Sequence, residues 1–564
     1  MSTIDWIVLT VTLLIIIIYG IYKSKGQSSS DSFLRAGREM PWHVVLLGIM
    51  ATQASAITFI SGPGQAYADG MRFVQYYFGL PLAMIVISVV FVPIFAKLNV
   101  YTAYEYLDQR FDRRTRLFTG FLFLFSRGVS TGISVYAPSI VFSTIFGWDV
   151  YLTNILMGGL LIVYSYTGGA RAIAHTQKIQ FGIILTAMLI AGVMVVYLLP
   201  DGIGLPEALK VAGKSGKLNV ITTEFDLNDR YNIWSGVIGG FFLALSYFGT
   251  DQSQVGRYLT AKSMRESRLG LLLNGFVKIP MQFGILLVGA LLFSFYTFQK
   301  QPLFFNETAM EKMEQIEPEF SQEIQASFGA LAEEQQVLSK ALVQKDISVQ
   351  EEAIVLEKFQ SNVDEMKRIK GSYEKKLAQY RTEIGASNTD TNYVFLHFVQ
   401  NYLPVGLVGL IFAIIFLASW GSISAAINSL ASSTLMDFHK VLIPEGWSDA
   451  KELRWGRIYT LIWGIFGIIV AMFATKMGSL IEAVNELGSL FYGAILGIFL
   501  TAFFLKSIKG KHVFYAALLS EIGVLIIYVF NWVSFLWLNV IGAGLVILFA
   551  VFLKMFSKEN KSIA

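Results

Sequence analysis

Thirteen runs of about 20 apolar residues follow one another along this chain, each long enough to cross a membrane as a helix. Inside a bilayer every backbone polar group has to be paired within the chain, which leaves helices as the solution for such runs. The chain has 564 residues; 54% are hydrophobic and only 15% are charged, too few for a soluble protein of this length. The sequence therefore predicts an all-α polytopic membrane protein. The predicted spans are 4–22, 43–63, 74–96, 117–146, 150–167, 178–199, 232–250, 270–298, 402–436, 454–475, 480–505, 512–530 and 533–556.

Basic residues cluster in alternate loops between these spans. Because cytoplasmic loops carry an excess of Lys and Arg, we place these loops inside, the N-terminus outside and the C-terminus inside. The first apolar run follows Asp5 rather than a basic region and lacks a small-residue cleavage site, so we expect a retained span and not a signal peptide. The basic residues are Lys23, Lys25, Arg35 and Arg38, then Arg110, Arg113, Arg114 and Arg116, then Arg171 and Lys178, then Arg257, Lys262, Arg265 and Arg268, then Lys440, Lys451 and Arg454, then Lys506, Lys509 and Lys511, and finally Lys554, Lys558 and Lys561.

Two of the apolar spans are unusually polar. The stretch Val405–Asp437 carries Ser419, Ser422, Ser424 and Asn428, and it contains glycines that interrupt the helix pattern. The stretch at 51–65 has a similar mixture. Polar groups are costly inside a membrane, so these residues either join helices or line a path for a polar solute or a small cation. Two interrupted spans, one in each half of the chain, indicate a secondary transporter.

Residues 300–400 are polar and by the same topology lie outside. Two series of apolar residues there are spaced by three and four, which predicts an antiparallel helical hairpin with a turn at 345–348. The first series is Met313, Ile316, Phe320, Ile324, Phe328, Leu331, Leu338 and Leu342; the second is Leu356, Phe359, Val363, Met366, Tyr373, Leu377, Tyr380 and Ile384. We favour a stabilising appendage, and a substrate-capturing element or a surface for a protein partner remain as alternatives.

Several chemistries are excluded by composition. Cysteine is absent and the five histidines are scattered, which excludes disulfides, thiolate chemistry and a Cys-based metal site. The sequence has no paired intramembrane carboxylates, no HExxH motif and no nucleophile motif in a suitable context. We therefore predict a protein that is not an enzyme, with a small-molecule substrate and the lipid bilayer as partners and no nucleic acid.

Four segments carry a resemblance to a known family. They read ATQASAITFISGPGQAY at 51–67, TGGARAIAHTQKIQ at 167–180, YFGTDQSQVGRYLTA at 247–261 and SAAINSLASSTLMD at 424–437. Together they resemble the sodium/solute symporter family, whose members carry sugars, proline, sialic acid, iodide, monocarboxylates and vitamins. The resemblance implies an inverted-repeat core of five plus five spans in a cell membrane, here a bacterial inner membrane. It also implies an unwound first helix in each repeat, at Ala51–Ser61 and Leu243–Gly249.

A site for one sodium ion follows from the same resemblance. The family's ligands correspond here to the carbonyls of Ala51, Ala54 and Ala418 and the hydroxyl of Ser422. Oxygen ligands of this kind suit a small hard cation, and a broken helix supplies free carbonyls within the membrane.

Three positions near this site depart from the family pattern. Gly421 stands where a second hydroxyl is usual, and Gln177 and Ala425 stand where members with a second cation site have an Asp and a hydroxyl. We expect one sodium ion at most. Either water, Ser419 or a shifted carbonyl replaces the hydroxyl that is missing at Gly421, or the affinity for sodium falls or the coupling to sodium is lost. The neighbouring Lys178 has two interpretations: its ammonium occupies the cation site and makes transport proton-linked, or it is a basic residue at a cytoplasmic span end, which the surrounding basic loop favours.

Polar residues of the broken helices should face a substrate cavity. The resemblance places Ser55 and Thr58 at ligand-contacting positions of sialate and sugar carriers, Tyr247 at an inner gate, and Lys278 at a lysine that reaches the sugar in the galactose carrier. The predicted cavity residues are Gln53, Ser55, Thr58, Gln75, Arg127, Tyr247 and Lys278.

Arg127 lies near the middle of its predicted span, about ten residues from the cytoplasmic end at about 1.5 Å per residue. A charge at that depth is a candidate functional group. Two interpretations stay open, a bidentate clamp on a substrate carboxylate or a buried ion pair.

The sequence predicts a sodium-coupled importer of a small polar solute, preferably an organic anion or an acidic sugar such as sialic acid. The alternatives are a proton-coupled or sodium-independent carrier of a neutral solute, and a membrane sensor with a transporter fold. We divide the chain into seven parts. The first half contains a first span and loop (1–42), a first repeat (43–199) and an external loop (200–231). The second half contains the first part of the second repeat (232–299), a hairpin insert (300–400), the rest of that repeat (401–505), and two last spans with a tail (506–564).

Overall fold

The protein is helical throughout the part that the structure describes. This computed structural model describes residues 1–24, 38–98, 100–344, 347–384, 389–444, 446–474 and 477–557. Helices account for 82% of it, and no strand occurs in these ranges. The basic residues Lys25, Arg35, Lys558 and Lys561 and residues 345–346 of the predicted hairpin turn lie outside the described residues.

Within the described ranges, ten helices are long and apolar enough to cross a membrane, a bent helix pair adds an eleventh candidate, and two apolar helices are shorter. The predicted polytopic helical membrane protein is thus confirmed. The helices, in chain order, are α1 Thr3–Ser24, α2 Trp42–Gln53, α3 Ala56–Asp69, α4 Met71–Leu98, α5 Arg113–Phe146, α6 Val150–Tyr197, α7 Ser235–Thr250, α8 Gln252–Tyr258, α9 Met264–Phe298, α10 Pro318–Leu342, α11 Val349–Gln379, α12 Leu407–Ser433, α13 Asp449–Ala474, α14 Leu480–Phe504, α15 Gly510–Val529 and α16 Phe535–Phe556. Shorter helices are Glu105–Arg110, Leu205–Lys214, Glu307–Ile316, Arg381–Ile384 and Val394–Tyr402.

The first broken helix consists of α2 and α3, which meet at an angle of 59°. Only Ala54 and Ser55 leave the helical conformation, so the unwound part is shorter than the predicted stretch at 51–61. The break frees backbone carbonyls: no described residue donates a hydrogen bond to the carbonyl of Ala51 or Ala54. Free carbonyls in the middle of a bundle are groups that a cation or a polar ligand can use.

The second break lies elsewhere than expected. The range Leu243–Gly249, predicted to be unwound, is fully helical within α7. The chain leaves the helix just after this range, at Asp251, whose extended backbone separates α7 from α8. The physical reason is capping: the Asp251 side chain accepts a hydrogen bond from the Ser253 N–H at 2.8 Å and so starts a new helix.

The hydroxyl-rich stretch at 405–437 is also less interrupted than its glycines suggest, because α12 runs without a break through Gly421. Its serine hydroxyls donate to carbonyls one turn back, as in Ser419 to Ile415 and Ser422 to Ala418, at 2.9 and 2.8 Å. Serines that bond to their own helix keep polar atoms satisfied without unwinding it. Almost all of α12 is buried, so it forms the centre of the bundle.

The polar segment at 300–400 contains the two long helices α10 and α11, which pack along each other. Buried apolar residues at the predicted spacing lie between them, among them Phe328, Met366 and Tyr373. The tip of the pair is fixed to the helix Leu205–Lys214, where Glu352 lies 3.1 Å from Lys210 and 3.5 Å from Lys214. The hairpin therefore lies against the bundle rather than extending freely from it.

Candidate functional site

A cavity lies beside the break between α2 and α3, and it is walled by α4, α5, α7, α9, α12 and α14. Six of the seven predicted substrate residues line it. These are Gln53, Ser55, Thr58, Arg127, Tyr247 and Lys278. Further lining residues include Tyr76, Tyr77, Ser130, Thr131, Ser134, Ser422, Asn485 and Tyr492. Hydroxyl, amide and aromatic side chains thus face one space, as a polar solute with apolar faces requires.

Gln75 is not among the residues that the structure brings to this cavity. Its side chain is completely buried: Nε2 donates to the Tyr231 carbonyl at 2.9 Å, and the side-chain oxygen Oε1 accepts from the Thr222 N–H at 3.1 Å. These bonds hold the loop at 200–231 against α4. Gln75 occupies the first turn of α4, beyond the reach of the break, which explains why it serves the loop.

The floor of the cavity is an ion pair between α5 and the second break. Arg127 donates to Asp251 Oδ2 from Nε at 3.1 Å and from Nη2 at 2.5 Å, and both side chains are buried. The Tyr492 hydroxyl donates to the same carboxylate oxygen at 3.0 Å. The Tyr247 ring lies 5.1 Å from the guanidinium carbon, and its hydroxyl accepts from Gln254 at 2.7 Å. Of the two interpretations of Arg127, the structure contains the buried ion pair.

Lys278 is the other cationic side chain of the cavity. It is 1% exposed, and its Nζ lies 5.4 Å from the centre of the Tyr77 ring. No carboxylate among the described residues forms an ion pair with it. One turn earlier on α9, Asn274 accepts a hydrogen bond from Gln53 at 3.0 Å, which joins this helix to the end of α2. The cavity thus has an arginine in an ion pair on its floor and, on its wall, a buried lysine that forms no ion pair with any described residue.

The predicted sodium ligands lie on the two sides of a narrow contact between α2 and α12. A single amide spans this contact: Gln177 donates to the Gly421 carbonyl at 2.9 Å and to the Thr52 hydroxyl at 3.4 Å. Thr52 and Gly421 are the neighbours of Ala51 and Ser422. The break in the first helix and the segment of α12 around Ser422 are therefore connected through one glutamine side chain.

Gly421 leaves room that Gln180 uses. A Cβ atom at position 421 would lie 2.6 Å from Gln180 Oε1 and 3.4 Å from Gln177 Cγ. The space that a side chain at position 421 would occupy is thus taken by the side chains of Gln177 and Gln180 on α6.

Restoring that hydroxyl should strengthen sodium binding only when Gln180 is shortened. We expect the double variant Gly421→Ser/Gln180→Ala to bind sodium roughly tenfold more tightly, since one added ligand contributes about 1–2 kcal/mol. The sodium dependence of the melting temperature measures this. Gln180→Ala alone is the control, and a double variant that binds no more tightly than this control would show that position 421 does not face the ion.

Lys178 is exposed on α6, whereas its neighbour Gln177 is completely buried. Its side chain therefore points away from the contact between α2 and α12, as expected for a residue at a span end. Arg257, counted among the loop cations from sequence, is instead buried at 5% exposure.

A family model matches most of this sequence. The model of the sodium:solute symporter family covers residues 33–315 and 366–520, and the gap between the two ranges contains α10 and the first part of α11. The chain belongs to the sodium:solute symporter family. It is accordingly a secondary transporter coupled to sodium, and the sodium ion predicted from sequence is confirmed at the level of the family.

Full-length relatives of this symporter include two bacterial sialic acid carriers. The sodium/sialic acid symporter NanT of Aliivibrio fischeri is 24% identical over 99% of this chain and 94% of its own length. SiaT of Proteus mirabilis is 24% identical over 97% of this chain and 93% of its own length. The sodium-coupled monocarboxylate transporter 1 of Xenopus laevis is 32% identical, over 48% of this chain and 43% of its own length. The structure of a substrate-bound, outward-open sodium-coupled sialic acid symporter shares the fold, with a TM-score of 0.75 at 22% identity over 99% of this chain and 98% of that one.

At the end of the cavity opposite the Arg127–Asp251 pair, side chains of the symporter close over the contact between α3 and α14. Gln65 and the Tyr231 hydroxyl donate to Glu482 Oε1 at 3.2 and 2.9 Å, and Arg230 donates to Glu482 Oε2 at 2.8 Å. Ser61 and Ser479 join the same two helices at 3.2 Å. These polar contacts hold α3 and the start of α14 together beside the cavity.

A short segment at 389–393, called the strap below, lies across the contact between α3 and α14. Asn392 donates to the Gly478 carbonyl at 3.0 Å and accepts from the Leu480 N–H at 3.3 Å, which fixes the start of α14. The Thr391 carbonyl packs directly on Gly64 of α3, where a Cβ would lie 1.7 Å from it. Asp390 accepts from Lys370 of α11 at 2.7 Å.

Sequence reasoning missed Asp251 and Tyr492 as partners of Arg127. Asp251 stands within a segment that we quoted for the resemblance, and a lone carboxylate beside an apolar helix is itself a signal for a buried partner. Tyr492 carried no comparable signal, because a tyrosine within an apolar span is also an ordinary packing residue.

Proposed function

We propose that this symporter imports a small organic anion, such as sialic acid or another acidic sugar, together with one sodium ion. The observation that carries the proposal is the buried amino group of Lys278, which lies in the wall of a polar cavity beside a broken helix and forms no ion pair with any described residue. A buried cation without a counter-ion is unfavourable by several kcal/mol, and a bound carboxylate offsets that cost. The names of the sialic acid and monocarboxylate carriers among the relatives support the same class of solute.

The two cavity cations have separate roles in this proposal. Arg127 directs two of its donors to Asp251, so the pair has no net charge to offer a solute. Lys278 is left to receive the carboxylate, and Gln53, Ser55 and Thr58 supply hydrogen bonds to hydroxyl groups. Tyr247, above the ion pair, closes the cavity beneath the solute.

For sodium we propose the carbonyls of Ala51, Ala54 and Ala418 and the hydroxyl of Ser422. The free carbonyls at the break and the short α2–α12 contact support this assignment. Gln177 donates an N–H group where a second cation would need an acceptor, which favours one ion per cycle. The exposed position of Lys178 disfavours the proton-linked alternative in which its ammonium replaces the ion.

The proposed transport cycle rests on thirteen crossings. Ten long helical segments, the bent pair α2–α3 and two shorter apolar segments add up to that number, with α6 counted as two crossings, Val150–Tyr166 and Ile173–Tyr197. We propose that 43–199 and 232–505 form the two inverted repeats, with the hairpin at 300–400 inserted in the second. The charge pattern favours an outer N-terminus and a cytoplasmic C-terminus, in a bacterial inner membrane.

Uptake of labelled sialic acid into liposomes that contain the purified protein tests the proposal. A sodium gradient directed inwards should drive accumulation, and an equal potassium gradient should not. Competition by hexuronates, lactate, hexoses and proline then defines the solute class. Sodium-driven uptake of a neutral solute alone would overturn the anion assignment, and uptake driven only by a proton gradient would overturn the coupling. Binding without accumulation would favour a sensor.

Lys278→Met separates substrate recognition from folding. We expect uptake of the anion to fall roughly 30-fold or more, because a buried carboxylate that loses its charged partner costs about 2–5 kcal/mol. The melting temperature of the empty protein should stay equal or rise, since the substitution removes a buried amino group that forms no ion pair with any described residue. A lower melting temperature together with unchanged uptake would instead assign Lys278 to the structure of the bundle. Lys97→Met, at an exposed lysine, is the control.

A further inference from the structure

A cleft lies where α5 and α15 begin side by side, at the end of the bundle that the charge pattern assigns to the cytoplasm. The two helix starts touch: the Thr115 hydroxyl donates to the Gly510 carbonyl at 3.5 Å, and a Cβ at Gly510 would lie 2.0 Å from Asp112 Oδ2. The cleft is lined by Asp112, Arg113, Arg114, Lys511, Phe514 and Tyr515. None of these residues belongs to the transport cavity.

The charges in this cleft are not balanced. Asp112 is engaged by Thr115, whose N–H and hydroxyl donate to Oδ1 at 2.8 and 2.9 Å. Among the described residues, Arg113, Arg114 and Lys511 form no ion pair, and Arg113 donates only to the Val441 carbonyl. All three side chains are exposed.

Two other arginines of the same loop show the contrast. Arg116 pairs with Asp437 at 3.0 Å and with Asp108 at 3.1 Å. Arg110 donates to the carbonyls of Ala502 and Leu505, at the end of α14, at 3.1 and 3.0 Å. These two side chains have structural partners, so the cations of the cleft are the ones left for a ligand.

Two of these cations, Arg114 and Lys511, stand at the head of a stripe of exposed apolar side chains. On α15, Lys511 is followed at helical spacing by Tyr515, Leu518 and Ile522, which are 54%, 39% and 49% exposed. On α5, Arg114 is followed in the same way by Phe121 and Phe125, which are 54% and 45% exposed. Such stripes face acyl chains when the helices cross a membrane. The cleft therefore joins a cationic pocket to a lipid-facing surface.

We propose that this cleft binds the headgroup of an anionic phospholipid, with its acyl chains along the aromatic and aliphatic stripes of α5 and α15. The three basic side chains form no ion pair with a described residue, and a phosphodiester supplies a negative charge for them. The apolar stripes beside the cleft favour a lipid over a free phosphate. Arg114 and Lys511 contribute long-range attraction, and Tyr515 lies at the level of the interface, where its ring contacts chains and its hydroxyl reaches headgroups.

The test uses the full-length protein in detergent and compares phosphatidylglycerol with phosphatidylcholine of the same chains. The readout is the lipid concentration that half-saturates the rise in melting temperature. Phosphatidylglycerol should act at a concentration at least about tenfold lower than phosphatidylcholine. The variant Arg114→Gln/Lys511→Gln should weaken phosphatidylglycerol binding about 30-fold, since each basic residue near an anionic headgroup contributes about 1 kcal/mol.

The control variant is Lys97→Gln/Arg265→Gln, which removes two exposed cations of the same side that do not line the cleft. It should retain the preference for phosphatidylglycerol. An equal loss in both variants would overturn the site, because it would reduce the effect to net charge. A third arm uses inorganic phosphate or glycerol phosphate: if either reproduces the full shift, the cleft is a phosphate site and the lipid assignment fails.

Discussion

Replacing Ser422 with alanine should abolish the stimulation of uptake by sodium. Ser422 supplies the one side-chain oxygen among the four proposed ligands, and the other three are backbone carbonyls that no substitution removes. Without its hydroxyl the apparent affinity for sodium should fall roughly 30-fold or more, as for loss of an interaction of about 2–3 kcal/mol with a charged partner. Initial uptake rates across a series of sodium concentrations measure the change.

The fold should tolerate this substitution. The Ser422 hydroxyl donates to the carbonyls of Ala418 and Ser419, at 2.8 and 3.2 Å, within its own helix. Ser429→Ala is a matched control, because the Ser429 hydroxyl makes the same kind of bond to Ala425 at 2.9 Å and does not line the cavity. Unchanged sodium dependence in Ser422→Ala, with full expression, would remove Ser422 from the site.

The second large effect is expected at Arg127. The variant Arg127→Leu leaves the carboxylate of Asp251 buried and without a cation, and breaking such a pair from one side destabilises a protein by about 3–5 kcal/mol. Adding Asp251→Asn removes the unpaired charge while its side-chain oxygen continues to cap α8. We therefore expect a large drop in melting temperature for the single variant and substantial recovery for the double variant.

This pair of variants also decides what Arg127 does. If the guanidinium serves as the carboxylate clamp that the sequence left open, Arg127→Leu should lose uptake with little loss of stability, and Asp251→Asn should restore nothing. If the pair closes the floor, stability and uptake should fall together and recover together. Tyr492→Phe, which removes one hydroxyl donor from Asp251, should have a smaller effect in the same direction.

Patterns of apolar residues that extend over a whole helix predicted the helical architecture well. The apolar runs fall on helices, and the apolar spacing in the polar insert falls on the two packed helices α10 and α11. Both patterns depend on which face of a helix is apolar, and this information lies within one segment. The first break was found because Ala51–Gln65 combines small and polar residues within an apolar run.

Features that depend on a single contact were not predictable in the same way. The second break was placed within Leu243–Gly249 by resemblance, whereas the chain breaks where Asp251 caps a new helix. Gln75 resembles a cavity residue by its position but lies against a loop more than a hundred residues away in sequence. The ion pair of Arg127 joins residues 124 positions apart. Such contacts are set by how the helices pack, which periodicity does not record.

The strap at 389–393 has a mechanical consequence. It holds α3 through Gly64 and α14 through Gly478 and Leu480, and Asp390 ties it to Lys370 on the hairpin. If α3 and α14 separate to admit a solute, the strap has to lose its contacts with one of these two helices. The hairpin would then stay connected to the other helix through the strap. Because Asp390 ties the strap to Lys370 of α11, a displacement of the hairpin would reach the contact between α3 and α14 through this segment.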